Sequence, residues 1–156
     1  MILTSLSLMD HDAQNKEFND AIKTLFHGEV MERATAALRI GHLKDARATN
    51  MLMKALNKEN DPIVINRIIE AMGEIKDTKA TMPIVNVLKD ELAKPEKEQD
   101  RNRLFLLIES LMKIGDKRAL EQLGIIINTC DDELKKLSEE ALECIDPDWK
   151  DNIKKL

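Results

Sequence analysis

The chain has 156 residues, of which 43% are hydrophobic and 34% charged, and its net charge is −5 at pH 7. This composition is typical of a globular domain and excludes a disordered chain, and no apolar run approaches the roughly 20 residues of a membrane-spanning helix. The net negative charge argues against bulk attraction to nucleic acid or anionic lipid. Only five Gly, four Pro and no Tyr are present, so turns and strands of a β-protein are not expected.

The two cysteines, Cys130 and Cys144, are separated by fourteen residues of predicted helix. Such a helix holds them about 20 Å apart, which is too far for a disulfide bond. Two free thiols fit a reducing compartment. We therefore expect a soluble, cytoplasmic protein. The opening residues lack a basic segment and run into acidic residues, so a signal peptide is not expected.

The elements in chain order are all helical. Residues 1–12 carry little signal, and apolar residues at helical spacing then run from Ala13 to His27, where Gly28 ends the helix. We interpret residues 1–28 as a degenerate leading repeat. Two helix pairs follow, and the first helix of the first pair is predicted to stop at Gly41. Their predicted ranges are 29–40 with 46–58, and 62–75 with 78–92. Pro83 is predicted to shorten or kink the first turn of the last of these helices.

A charged stretch over about 91–103, which contains Pro95, is predicted to be an exposed loop. Helices over 103–114 and 117–129 form a third pair, and Gly124 inside the second of them indicates close approach of a neighbouring helix. A last repeat begins with a helix over 131–145. After Asp146-Pro147, the residues Trp149, Ile153 and Leu156 predict a short helix that covers the open end.

One twelve-residue pattern occurs three times in the chain and supports the predicted helix pairs. The copies are DARATNMLMKAL from Asp45, DTKATMPIVNVL from Asp77 and DKRALEQLGIII from Asp116. Recurring units of this kind predict a solenoid, in which each repeat buries its apolar face against its neighbours. The interval is 32 residues from Asp45 to Asp77 and 39 from Asp77 to Asp116, which indicates an insertion in the charged loop. The three Asp are predicted helix caps.

These observations predict one all-α domain of about eight to nine helices, arranged as an α-solenoid of antiparallel pairs. The predicted repeats cover residues 29–60, 61–95 and 99–130, and residues 131–156 form the last repeat and the C-terminal lid.

The segments ALRIGHLKDARATNMLMKAL, AMGEIKDTKATMPIVNVL and LMKIGDKRALEQLGIII resemble HEAT repeats, in particular the short HEAT-like repeats of the phycobilisome lyase type. The resemblance covers roughly residues 29–145. It implies a right-handed, armadillo-like superhelix whose second helices line a concave binding face. It is specific for fold and not for activity, because such repeats occur in adaptors, chaperones, chromophore lyases and enzymes alike.

Catalytic and metal motifs are not found in the sequence. The three histidines, at positions 11, 27 and 42, lie on separate predicted segments without metal-site spacing, and no phosphate-binding loop or nucleophile motif occurs. We therefore expect no enzymatic activity, no cofactor and no metal. Trp149 is interpreted as a packing residue.

The three aligned second helices are predicted to present one exposed stripe. At 100° per residue, the positions two, five, nine and twelve after each Asp lie opposite the buried positions. The stripe consists of Arg47, Asn50, Lys54, Asn57, Lys79, Met82, Asn86, Lys89, Arg118, Glu121, Ile125 and Asn128. It carries five basic residues and one acidic residue, which favours an acidic protein segment as partner, with Met82 and Ile125 as apolar anchors.

Three functions remain open. The first is a non-enzymatic protein-interaction or scaffold module that binds a partner on this stripe. The second is an accessory or lyase-like protein that handles a cofactor or chromophore. The third is nucleic-acid binding, which the absence of interleaved aromatic residues disfavours. An ordinary solvated helix face would also contain Lys, Arg and Asn.

Overall fold

The computed structural model describes residues 2–129 and 131–154. Cys130 and Leu156, which entered the sequence predictions, lie outside the described residues. Within that part of the chain no strand occurs and nine α-helices follow one another. They are α1 (Ile2–His27), α2 (Val30–Leu43), α3 (Thr49–Lys58), α4 (Pro62–Ile75), α5 (Thr81–Ala93), α6 (Arg101–Ile114), α7 (Leu120–Ile126), α8 (Asp132–Ile145) and α9 (Trp149–Ile153).

The helices form stacked pairs, and this confirms the predicted all-α solenoid. The first helices of the pairs, α2, α4, α6 and α8, pack one upon the next, and the second helices, α3, α5, α7 and α9, each follow a first helix and pack on the other side. The preceding helix α1 packs on α2 and also contacts α3. It therefore occupies the place of a second helix ahead of α2. A continuous core of Leu, Ile, Val and Ala fills the space between the two layers.

Small residues let the first helices approach closely. A Cβ atom on Gly41 of α2 would lie 2.9 Å from the Cα of Ala71 in α4, and one on Gly73 would lie 2.9 Å from the Cα of Ser110 in α6. The prediction that Gly41 stops α2 was therefore wrong. The helix continues to Leu43, because the missing side chain at Gly41 makes room for the neighbouring helix.

The second helices α3, α5 and α7 begin in the same way. A residue in the left-handed conformation (Lys44, Lys76 or Gly115) ends the first helix, and an Asp follows it. The carboxylates of Asp45, Asp77 and Asp116 then accept the backbone N–H two residues later, at 2.9, 3.0 and 3.0 Å. A short 3-10 turn separates each Asp from its α-helix. The turn before α5 is thus not due to Pro83, because α3 and α7 share it without a proline.

The predicted charged loop over 91–103 is shorter in the structure. Helix α5 runs on to Ala93 and α6 begins at Arg101. Glu91 is buried and accepts a hydrogen bond from the backbone N–H of Asp100, 2.5 Å away. The assignment of Glu91 to the exposed loop was therefore wrong, because its buried carboxylate holds the loop through this hydrogen bond.

The last pair closes the array with a short helix. Helix α9 packs on α7, where the side chain of Ile153 fills the space beside Gly124. A Cβ atom on Gly124 would lie 2.9 Å from Cδ1 of Ile153, so the sequence prediction of a close neighbour at Gly124 is correct. The Trp149 side chain lies against the core and its Nε1 donates to Glu143, 2.9 Å away.

Candidate partner-binding face

The predicted stripe on the second helices is solvent-exposed along its whole length. All twelve residues are exposed, whereas the Ala, Leu and Ile residues three and seven places after each Asp are buried. The helical register read from the repeats therefore places these side chains on the outside of α3, α5 and α7 and of the 3-10 turns before them. We call these twelve residues the second-helix stripe.

Arg47, at one end of the stripe, makes contacts within the chain. Its guanidinium bonds the capping carboxylate of Asp45 at 2.6 Å and donates to the side-chain oxygen of Asn15 on α1 at 3.1 Å. It also stacks over the ring of Phe18 at 4.7 Å. The hydrogen bond from Arg47 lowers the pKa of Asp45 below its ordinary value. Arg47 thus joins α1 to the first full repeat.

Arg118 has a similar role at the other end of the stripe. Its guanidinium bonds Asp116 at 2.6 Å and donates to the carbonyl oxygen of Thr78, at the turn before α5, at 2.9 Å. The hydrogen bonds from Arg118 lower the pKa of Asp116 to about 2, more than burial raises it. Two of the five basic residues of the stripe are therefore neutralised by the caps beside them.

Three lysines of the stripe differ from these arginines. Lys54, Lys79 and Lys89 are exposed, and among the described residues none of them lies within 4.0 Å of a carboxylate oxygen. Their ammonium groups therefore remain available to an anion from outside the chain. Lys54 lies on α3, Lys79 in the turn before α5, and Lys89 on α5.

A groove lies between α3 and α5. Its volume is about 510 Å³, and Asn57 and Asn86 of the stripe line it from opposite helices. Its floor is apolar, formed by Met53, Leu56, Ile65, Pro83 and Val87. Acidic and basic side chains both occur at its far end, where Asp90, Lys94 and Arg103 line it. We call this the central groove. Its size and apolar floor suit a few side chains of a bound segment.

A second groove, of about 470 Å³, lies between the end of α5 and α7. The stripe residues Ile125 and Asn128 line this groove, together with Leu92, Leu104 and Leu134. Ile125 is 52% exposed and Met82, on α5, is 37% exposed. The two predicted apolar anchors therefore lie on different helices, and Met82 does not line either groove.

Sequence reasoning missed some residues of this face. Met51 is 37% exposed on α3, four places after Arg47 and three before Lys54, which puts it on the same side of the helix. The partly buried floor of the central groove was missed as well. The helical spacing of Met51 from Arg47 and Lys54 could have identified it. The floor of the central groove could not be identified in this way, because it depends on the distance between two helices.

Two of the three histidines line a common cavity. His11 and His42 line one polar cavity between α1 and the turn after α2, beside Asp45 and Arg47. Among residues 2–129 and 131–154, no three His, Cys, Asp or Glu side chains lie close enough together to hold a metal ion. In the same part of the chain, no helix combines the length and hydropathy of a membrane span.

A family model of known proteins matches the chain. Residues 20–99, which run from within α1 past the end of α5, match a family model described as HEAT repeats. This is half of the chain and contains the central groove up to its far end. No curated protein matches the chain significantly.

Proposed function

Because the chain belongs to the family of HEAT repeats, which are generally protein-interaction scaffolds, we propose that it is a non-enzymatic interaction module. The partner is an acidic protein segment that lies along the second-helix stripe. Its side chains enter the central groove, and its carboxylates pair with Lys54, Lys79 and Lys89.

One observation carries this proposal. Two of the three lysines without a salt bridge among the described residues, Lys54 and Lys89, lie on the two helices that bound the apolar floor of the central groove, and Lys79 lies in the turn before the second of these helices. A partner with apolar and acidic side chains would therefore bury apolar area and form new ion pairs at the same place. Arg47 and Arg118 hold the repeats together and are not assigned to the partner.

The experiment is capture of the natural partner from native cell extract, followed by mass spectrometry. The variant Lys54→Glu/Lys79→Glu/Lys89→Glu reverses the three charges of the stripe. A matched control, Lys23→Glu/Lys97→Glu/Lys136→Glu, makes the same change in charge at three exposed lysines on α1, the loop and α8. Circular dichroism verifies that both variants keep the helical content of the parent.

We expect the stripe variant to lose the partner and the control to retain it. Capture by the parent should also weaken as salt rises, since exposed charges are screened. If the stripe variant and the control retain the same partner equally, this face is not the binding site. Loss of the partner in both variants would instead assign the effect to total charge.

A further inference from the structure

The first half of α1 is not covered by the rest of the described chain. Every residue from Ser5 to Gln14 is exposed, although the helix is continuous to His27. A helix that lay against the array would bury at least one residue in each turn of 3.6. These ten residues, which we call the leading half-helix, therefore bury no side chain against the array, although His11 and Gln14 at their C-terminal end line the polar cavity beside Asp45. Burial begins with Asn15 and Phe18.

Large apolar side chains are exposed on this segment. Leu6, Leu8 and Met9 have 55%, 65% and 67% of their surface exposed. Helices shorter than about 12–15 residues are marginal in water, and most of their stability in proteins comes from the packing of one face. Leu6 and Met9 lie on one side of the leading half-helix and form an apolar face without a partner in the described chain, whereas Leu8 lies on another side.

The charges of the segment narrow the choice of partner. Asp10 and Asp12 are its acidic residues, and the first basic residue of the chain is Lys16. At 100° per residue, Leu6 and Met9 lie 60° apart, and Asp10 and Asp12 flank them on either side. An anionic membrane surface would repel such a helix, because membrane-surface helices are rich in Lys and Arg on the polar face.

The complementary surface is present on the same chain. The lysines Lys54, Lys79 and Lys89 of the second-helix stripe do not line the central groove, but each is three or four places from a residue that does: Asn57, Pro83 and Asn86. Met82 is exposed between Lys79 and Asn86. We propose that the leading half-helix of one copy docks along the central groove of a second copy. Leu6 and Met9 enter the groove, and Asp10 and Asp12 pair with the lysines. This inference rests on the proposed function, since it uses the same face.

The contact joins two copies of the chain. The second half of α1 packs on α2, so the leading half-helix cannot reach its own groove while α1 stays continuous. Each copy then offers one helix and one groove, and two copies can exchange helices in a closed dimer or associate head to tail into a ring or an open chain.

The experiment uses two variants of the full chain and sedimentation velocity over a range of concentrations. Met9→Lys damages the helix and leaves the groove intact, whereas Lys79→Glu/Met82→Glu places two negative charges beside the groove lining residues Pro83 and Asn86 and leaves the helix intact. Leu8→Lys is the matched control for the helix, because it makes the same kind of change at an equally exposed residue about 100° away from Met9.

We expect the parent to self-associate and each damaged variant to associate at least about tenfold more weakly, with Leu8→Lys unchanged. An equimolar mixture of the two damaged variants should form a heterodimer, because one supplies the helix and the other the groove. A mixture that stays monomeric would overturn the proposal, as would a monomeric parent. The proposal would also be overturned if Met9→Lys alone self-associated as strongly as the parent.

Failure of the self-association can be distinguished from failure of the proposed binding of an external partner. Met9→Lys keeps the stripe, so it should still capture an external acidic partner that depends on the three lysines. A monomeric parent with lysine-dependent capture would remove only the self-association. Self-association without any lysine-dependent capture would remove the external partner.

Discussion

Thr81, the first residue of α5, donates a hydrogen bond from Oγ1 to Oδ2 of Asp116, which caps the turn before α7, at 2.9 Å. The same carboxylate accepts the backbone N–H of Arg118 and bonds its guanidinium. One side chain therefore caps a helix, neutralises an arginine and joins two successive repeats. The repeats are coupled by polar contacts at their turns as well as by the apolar core.

The first prediction concerns acid stability. The pKa of Asp116 in the folded protein is about 2, below its ordinary value of 3.8, chiefly because of the hydrogen bond from Arg118. The stabilisation is thus fully present above pH 4 and is lost as the pH falls towards 2. We expect the free energy of unfolding of the parent to fall over this window. Asp116→Asn should reduce that fall by about 1 kcal/mol, since the pair is partly screened.

Urea unfolding at pH 6, 4 and 2.5 measures this effect. Asp132→Asn is a suitable control, because Asp132 is exposed at the start of α8 and makes no salt bridge among the described residues. An identical pH dependence of the parent and Asp116→Asn would contradict the assignment.

The second prediction concerns the left-handed residues at the ends of the first helices. Gly115 has φ of 73°, and Lys76 holds the same conformation at the equivalent place with φ of 60°. A side chain in this region is strained by about 1 kcal/mol or more, and glycine is not. We expect Lys76→Gly to stabilise the protein by about 0.5 kcal/mol and Gly115→Ala to destabilise it by about 1 kcal/mol.

Thermal and urea unfolding of both variants provide the measurement. Lys76→Ala separates backbone strain from the loss of the lysine side chain, because alanine keeps the strain. Equal stability of Lys76→Gly and Lys76→Ala would show that the conformation at this turn carries no cost.

The third prediction compares two helical glycines. A Cβ on Gly73 would meet Cα and Cβ of Ser110, both at 2.9 Å, so backbone would have to move. A Cβ on Gly124 would meet only the end of the Ile153 side chain. We expect Gly73→Ala to destabilise by about 1–3 kcal/mol through overpacking. Gly124→Ala should be neutral or stabilising by up to about 1 kcal/mol, because alanine favours helix. Urea unfolding of the two variants side by side tests the difference, and equal losses would argue against the close approach of α4 and α6.

The fourth prediction compares two salt bridges. Glu59, at the end of α3, is bonded to Arg33 of α2 through two hydrogen bonds of 2.9 and 3.0 Å and also accepts the backbone N–H groups of Asn60 and Asp61. Its side chain is only 9% exposed. We expect Glu59→Gln to lower the free energy of unfolding by about 1–3 kcal/mol, since it leaves a poorly solvated guanidinium without its partner.

Glu17→Gln supplies the comparison. Glu17 lies 3.8 Å from Arg39, and both side chains are well exposed. Such surface pairs contribute about 0–1 kcal/mol, so this variant should be close to the parent in denaturant unfolding. A loss in Glu17→Gln as large as in Glu59→Gln would refute the distinction between the two pairs.

The sequence contained enough information for the order of the helices and the register of the second-helix stripe. Both depend on local physics: the 3.6-residue period separates buried Leu52 and Ile84 from exposed Lys54 and Asn86, and Asp before a helix marks its start. The close neighbour at Gly124 was also predictable, because a glycine inside a helix has an energetic cost that packing usually explains.

The remaining features depend on contacts between distant residues. Gly41 reads locally as the end of a helix, and only its approach to Ala71, thirty residues later, shows why the helix continues. The contacts of Arg47 with Asn15 and Phe18 on α1 likewise cannot be read from spacing along one helix. The same limitation applies to the central groove, whose floor is supplied by three helices.

Glu91 anchors both ends of the connection between α5 and α6. Its carboxylate bonds the ammonium of Lys94 at the start of the loop and the backbone of Asp100 at its close. The residues between these two points are exposed except for Gln99. A reporter peptide or small domain spliced in after Lys97 should consequently be accepted without disturbing the neighbouring helices. The chain offers at this point a place for labels and fusions outside its α-helices.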